Sequence, residues 1–395
     1  MIDILLITAC IASGGLIVYH HAIYPVILSW YSKKHPSVAM NDVDRGYRSG
    51  DGDSRLPSVT ILVPAFNEEQ WIADKIRNLA ALDYPRGKLR VIIACDGCTD
   101  DTVNLAQMAI QEAICSDIHF EIHDHKENRG KVALLNSEMI DIDSDITALS
   151  DVSALISLDS LLIASEHFSD DNVGVVNATY CLCPSENQGE VSYWAYQTAI
   201  KKREASFGSS LGAHGAFYLF RTHLFDVLPS NTINDDFMLP MQIVRKGYLA
   251  HYDSNMVALE MEQTSNDNDF RRRLRISAGN MQQAIELFGL FNPKFKGIAF
   301  TFFSGKGLRL LTPYLMLVCL VTSFLLMGTL IFNILFWLQV SVYITGVVGH
   351  LLPKHLSIKP VSLVSYLVVG HYANFVGGLR YLLGFEGSHW TRVNR

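Results

Sequence analysis

The stretch NDDFMLP, residues 234–240, sets Asp235 and Asp236 side by side and follows them with Phe, Met and Leu. Like charges this close cost energy, and an apolar flank raises a carboxyl's pKa towards the range of a general base. Acids at the first turn of a helix also suit its dipole, so a plain helix N-terminus explains the same residues. Other candidates stand apart in sequence. Asp96 closes an apolar run and is followed by Gly97, where a chain can turn with little steric cost. Thr99, Asp100 and Asp101 can cap the next helix, and a carboxylate at the place of Asp96 can accept hydrogen bonds from a ribose hydroxyl or a base N–H. Gly130 and Lys131 enter a helical pattern. A lysine opposes the dipole there unless an anionic phosphate sits between them. The G-x-x-x-x-G-K-[ST] spacing of a P-loop is absent. Asp151, in LSDVS, ends another apolar run, and a diphosphate with Mg²⁺ or Mn²⁺ needs only one or two protein carboxylates.

These residues lie where strands should end. SVTILVPA (58–65), LRVIIACD (89–96), FEIHDH (120–125) and DITALSD (145–151) read as buried strands. The segments 67–82 and 99–114 place Ile72, Ile76 and Leu79, then Val103, Ala106 and Ile110, at helical spacing. Alternation of this kind predicts an α/β fold with a mostly parallel sheet covered on both faces, and ligands gather at the carboxyl edge of such sheets.

The chain's 395 residues are 49% hydrophobic, with a formal charge of −7 and a mean hydropathy of +0.19. No Asp, Glu, Lys or Arg occurs between Asp3 and Lys33, between Arg309 and Lys354, or between Lys359 and Arg380. At about 20 residues per crossing, these runs have room for one, two and one transmembrane helices. The first run is longer than a signal peptide's apolar region, begins with Asp3 rather than a basic stretch and lacks a cleavage pattern, so an uncleaved anchor is expected. Lys33, Lys34, Lys306 and Arg309 place the intervening region on the cytoplasmic side of the inner or plasma membrane. Four spans would put Arg380, Arg392 and Arg395 outside, against that rule; either one segment is interfacial or re-entrant, or the tail is an exception. The expected order is an anchor at 1–35, a polar linker at 36–56, a catalytic domain at 57–285, an interfacial amphipathic segment at 286–307, about three transmembrane helices over 308–384 and a tail at 385–395. A pI near 6.0 without a basic stripe gives no reason to expect nucleic acid.

In order, VPAFNEE, DGCTDDT, NRGK, SDVS, GAHGAFYLFR and NDDFMLP resemble the motifs of inverting family 2 glycosyltransferases in their membrane-embedded branch, which holds the synthases of cellulose, hyaluronan and poly-N-acetylglucosamine. The resemblance covers roughly residues 58–275. It implies a nucleotide-sugar-binding, GT-A-like domain with transmembrane helices at its ends, and a UDP-sugar donor. Ala65, Glu68 and Asp96 would hold the uridine and Lys131 would face the diphosphate. Asp151 stands at the first acid of the family's D-x-D and would bind the metal, Mg²⁺ or Mn²⁺; Ser153 occupies the place of the second. His214 and Gly215 would lie on the acceptor side, although a histidine among small residues can be structural. Asp236 corresponds to the catalytic base and Asp235 to its acidic neighbour. The processive members' Gln-x-x-Arg-Trp is replaced: Arg275 matches the Arg, but Arg272 and Ile276 stand for Gln and Trp. This favours limited transfer to a glycan or lipid-linked acceptor. The arginines can also meet UDP phosphates or anionic lipid heads, or form a solvated basic patch. Membrane lipids and other polysaccharide-export subunits are the further partners implied. The alternatives are a polyprenyl-phosphate glycosyltransferase and an inactive membrane subunit that binds nucleotide or polymer.

Two patterns point elsewhere. His123 and His125 share a face of their strand as zinc ligands would, but no residue nearby in sequence completes a tetrahedral set. Cys95 and Cys98 form a C-x-x-C without the helix-opening context of a redox motif.

Overall fold

The computed structural model describes residues 1–37, 50–183, 188–262, 266–352 and 359–385. Most of the expected linker and all of the tail after residue 385 lie outside them. The described residues divide into two compact units, one formed by Met1–Trp30 with residues 266–385, the other by Tyr31–Ser265. Helix α1 (Ile2–Val18) runs through a π-helical turn at Tyr19–Ile23 into α2 (Tyr24–Lys34).

The second unit alternates strand and helix. In chain order it holds β1 (Val59–Ala65), α3 (Ile72–Ala80), β2 (Leu89–Asp96), α4 (Thr102–Ala109), β3 (His119–His125), α5 (Lys131–Glu138), β4 (Ile146–Ser150), β5 (Ala154–Ile156) and α6 (Ser160–His167). Then come β6 (Val173–Leu182), α7 (Gln188–Ala205), β7 (Phe217–Arg221), α8 (Asp235–Arg245) and β8 (Leu249–Glu260). The eight strands form one sheet in the order β3-β2-β1-β4-β7-β6-β8-β5. All seven residues of β1 are buried, as a strand covered on both faces requires. Ile72, Ile76 and Leu79 of α3 pack into the core beneath it.

Strands β1 to β4 are parallel neighbours, as expected. Beyond β4 the sheet is mixed: β7 runs antiparallel to β4 and β6, and β5 antiparallel to β8. The reversal matters for the site. Phe217 at the start of β7 pairs with Ser150 at the end of β4, so the loop before β7 lies at the carboxyl edge of the parallel strands.

The other unit continues with α9 (Asn266–Glu286), α10 (Gly297–Thr301), α11 (Leu308–Leu325), α12 (Leu330–Leu351) and α13 (Lys359–Leu382). Residues 266–285, expected within the catalytic domain, group with these helices: α9 packs along α13, with Arg273 stacked over Tyr366 at 4.3 Å. Short 3₁₀ turns at Phe288–Phe291 and Pro293–Phe295 give way at Gly297 to a helix continuous to Leu325. A π-helical turn at Phe302–Gly307 carries the glycines without breaking it.

Among the described residues three helices are long and apolar enough to cross a membrane: Ile2–Lys34, Gly297–Leu325 and Leu330–Leu351. The fourth expected span folds as α13. Its Tyr366, His371, Tyr372, Asn374 and Arg380 leave it less apolar than those three.

Candidate active site

Asp96 ends β2 fully buried, and its carboxylate accepts the backbone N–H groups of Arg129 (3.1 Å) and Gly130 (2.8 Å). Its work in this structure is to fix the loop that delivers Lys131. Gly97 next to it has φ +68°, and a Cβ there would come 2.4 Å from the Asn128 nitrogen, so the two loops meet only around a glycine. Ala65 is buried at the end of β1, in register with Cys95, and Glu68 stands partly exposed beyond it. Asn67 (φ 56°) takes the Thr99 N–H at 2.8 Å, and the cap of α4 comes from Asp100, which accepts from the Thr102 N–H at 3.1 Å.

Lys131, the first residue of α5, reaches 3.0 Å from Asp151 and 3.5 Å from Asp235. Three segments remote in sequence therefore share one place: Lys131, Asp151 after β4, and the adjacent Asp235 and Asp236 opening α8. Burial alone would lower the lysine's pKa, but the carboxylates of Asp151 and Asp235 outweigh it and hold the ammonium above its ordinary value. Burial likewise opposes ionisation of Asp151, and Lys131 keeps that carboxyl below the usual range. Asp236 goes the other way. Burial raises it first and Asp235 second, against the pull of Lys131 and Lys201. A helix N-terminus would by itself lower this carboxyl, so burial and the acidic neighbour win.

The loop before β7 closes the site. Gly215 lies so near Asp151 that a Cβ would come 2.9 Å from its Oδ2. His214 stacks on Tyr180 with ring centroids 3.7 Å apart and accepts the Ala216 N–H at 3.2 Å, a well-held histidine beside the acids. Arg272 and Arg275 lie on α9, in the other unit.

Three residues escaped sequence reasoning. The Lys201 ammonium donates to the Ala213 carbonyl at 2.8 Å and lies in the field of Asp236. Tyr218, fully buried, has a hydroxyl without a hydrogen-bond partner among the described residues, in the field of Asp235, Asp236 and Asp151. Lys75, fully buried on α3, donates to Ser150 Oγ at 2.6 Å and to the Ala154 carbonyl, behind Asp151. Its signal was present, since position 75 falls on the apolar stripe of Ile72, Ile76 and Leu79. Burial lowers Lys75 to about 7. A lysine depressed on folding costs stability below that value, and the cost fades as pH rises towards the unfolded 10.5. Wild type should therefore gain in thermal stability relative to Lys75→Met between pH 7 and pH 10, measured by melting both in detergent. A difference flat with pH would place the folded value near the unfolded one.

The paired histidines have a different occupation. Glu138, buried on α5, takes His123 Nδ1 at 2.6 Å and His125 Nε2 at 2.7 Å, tying β3 to α5. Cys95 and Cys98 are free thiols.

Residues 57–279 match the family model described as "Glycosyltransferase like family 2". The chain is 26% identical over 206 residues to the poly-beta-1,6-N-acetyl-D-glucosamine synthase of Staphylococcus aureus, covering 50% of this chain and 48% of that protein. It is 26% identical over 196 residues to the beta-monoglucosyldiacylglycerol synthase of Nostoc sp., covering 48% of this chain and 41% of that one. The chain thus matches about half the length of these curated relatives or less. A solved structure, the mannosyltransferase PcManGT from Pyrobaculum calidifontis in complex with GDP-Man and Mn²⁺, superposes with a TM-score of 0.69 over 98% of this chain and 100% of its own. At 19% identity that likeness speaks for the fold.

Proposed function

The chain belongs to the family 2 glycosyltransferases, and from that premise we propose that it moves a sugar, with inversion, from a UDP-sugar to a growing or lipid-linked glycan at a membrane. The observation that carries this reading is the meeting of Asp236, of raised pKa, with the Lys131–Asp151 pair at the carboxyl edge of one sheet. Asp236 is the base that takes the acceptor hydroxyl's proton as that oxygen attacks the anomeric carbon. Lys131 meets the diphosphate that leaves, joined by the N-terminal end of α5. Ala65 and Glu68 stand at the edge where the nucleoside would lie, with Asp96 holding the loop around it.

A divalent cation, Mg²⁺ or Mn²⁺, fits here. Asp151 offers a hard oxygen ligand, Gly215 leaves its Oδ2 uncrowded, and the buried Asp235 Oδ2 accepts no hydrogen bond among the described residues. Such an ion would neutralise charge on the departing diphosphate. The acceptor side is drawn from His214 and Gly215. The three apolar helices support a membrane protein, and Lys33 and Lys34 support a catalytic unit on the cytoplasmic face.

The test uses membranes containing the full chain, Mg²⁺ or Mn²⁺, a panel of UDP-sugars and GDP-mannose, with nucleotide release as the readout. Release from one UDP-sugar supports the reading and names the donor. Release from GDP-mannose alone would overturn the uridine part and keep the transferase.

A further inference from the structure

Ser153 leaves the D-x-D pattern one acid short, yet the structure supplies a carboxylate at its side. β8 ends at Glu260, and its antiparallel pairing with β5 sets Glu260 opposite Ala154. The Met261 N–H donates to the Ser153 carbonyl at 3.0 Å, so the ladder holds β8 against the turn that carries Asp151. The Glu262 N–H donates to the Glu260 Oε1 at 3.1 Å, and Ser153 and Asp151 are among the groups that act on that carboxyl. Lys75, from behind the sheet, feels both acids.

We propose that Glu260 is a further carboxylate of the divalent-cation site, supplying from β8 the charge that Ser153 lacks. The inference rests on the reading of Asp151 as the cation-binding acid. Physical chemistry favours the exchange. Two acids near one another at a half-buried edge repel, and a hard cation between them turns that repulsion into coordination. Nearby, the fully buried Tyr218 hydroxyl has no hydrogen-bond partner among the described residues and lies in the field of Asp151, Asp235 and Asp236, as an edge prepared for a bound group would leave it. A serine at 153 is short enough to leave room for Glu260 and can orient it through its hydroxyl. An aspartate at 153 would face Glu260 charge against charge.

The experiment measures binding rather than turnover. Purified full-length protein with UDP is titrated with Mn²⁺, and free Mn²⁺ is followed by electron paramagnetic resonance. Glu260→Gln should weaken Mn²⁺ binding at least about tenfold, while binding of UDP without metal is unchanged. Moving the acid back, in the double variant Ser153→Asp with Glu260→Gln, should restore most of the lost affinity. Wild-type affinity in Glu260→Gln, with binding lost in Asp151→Asn, overturns the role of Glu260 and leaves Asp151 in place. Undiminished binding in Asp151→Asn overturns the reading of that acid and this inference with it. Should Glu260→Gln fail to fold, Glu260→Asp, which keeps the charge one methylene shorter, decides: weakened binding supports the proposal and unchanged binding overturns it.

Discussion

Replacing Asp236 by Asn should abolish sugar transfer and at the same time make the protein harder to unfold. A general base contributes roughly 10²–10⁴-fold to such a step, and an amide in its place cannot accept the acceptor's proton. Donor binding should survive, because Asp151 and Lys131 remain. The stability gain follows from the direction of the pKa. Asp236 is raised by burial and by Asp235, so between the unfolded value of 3.8 and its folded value the native state holds a proton that the unfolded chain has released. Stability therefore falls as pH climbs through that window, and the cost is fully present above it. The variant escapes the cost, as expected where a strained group serves chemistry. The rate of wild type should rise with pH on its acid limb, where Asp236 loses its proton. Nucleotide release, equilibrium donor binding and thermal melting at neutral pH measure the three parts. A variant that turns over normally would remove Asp236 from the base's role. One that is inactive but less stable than wild type would indicate that the acid also holds the structure.

Much of this was readable before the structure, and the limit has a physical cause. Strands β1, β2 and β4 announced themselves because a strand buried on both faces must be apolar throughout, and their ends named Asp96 and Asp151, whereas β3, expected to be buried, is an edge strand with no buried residue. Their helices followed from Ile72, Ile76 and Leu79 at 3.6-residue spacing. The mixed half did not show itself, since the reversal of β7 is a matter of pairing rather than composition. That reversal is what brings Gly215 against Asp151. Glu260 was invisible for a related reason: it neighbours Ser153 through a ladder that joins residues about 100 positions apart. Asp96 was legible as the end of a strand, but sequence does not show that its oxygens accept the Arg129 and Gly130 N–H groups, a contact between loops more than 30 positions apart. The helix Gly297–Leu325 was hidden by Gly305 and Gly307, which a π-helical turn absorbs.

Replacing Lys131 by Met should weaken donor binding and shift the rate profile, and the two effects have one source. The ammonium contacts Asp151 at 3.0 Å and Asp235 at 3.5 Å, and its loss leaves three acids together without that cation. Charge-assisted hydrogen bonds are worth about 1.5–3 kcal/mol, so a lost contact to the diphosphate should raise KM for the donor roughly 10- to 150-fold. Breaking a fully buried pair costs about 3–5 kcal/mol, and the loss here should be smaller because the Asp151 side chain is 37% exposed. That loss should be nearly constant from pH 6 to pH 9. A lysine held above its unfolded 10.5 contributes its stability at every pH below that value and loses it only as pH rises through the folded one. Catalysis responds where stability does not. Lys131 lowers the pKa of Asp236, so without it the base protonates more readily and the acid limb of the rate profile moves to higher pH. A merely structural lysine would lower the melting temperature and leave that limb in place. Rate profiles of wild type and Lys131→Met at saturating donor separate the two: a limb displaced upward makes Lys131 part of the electrostatics of the reaction, and a limb unmoved confines it to holding α5 against the turn that carries Asp151.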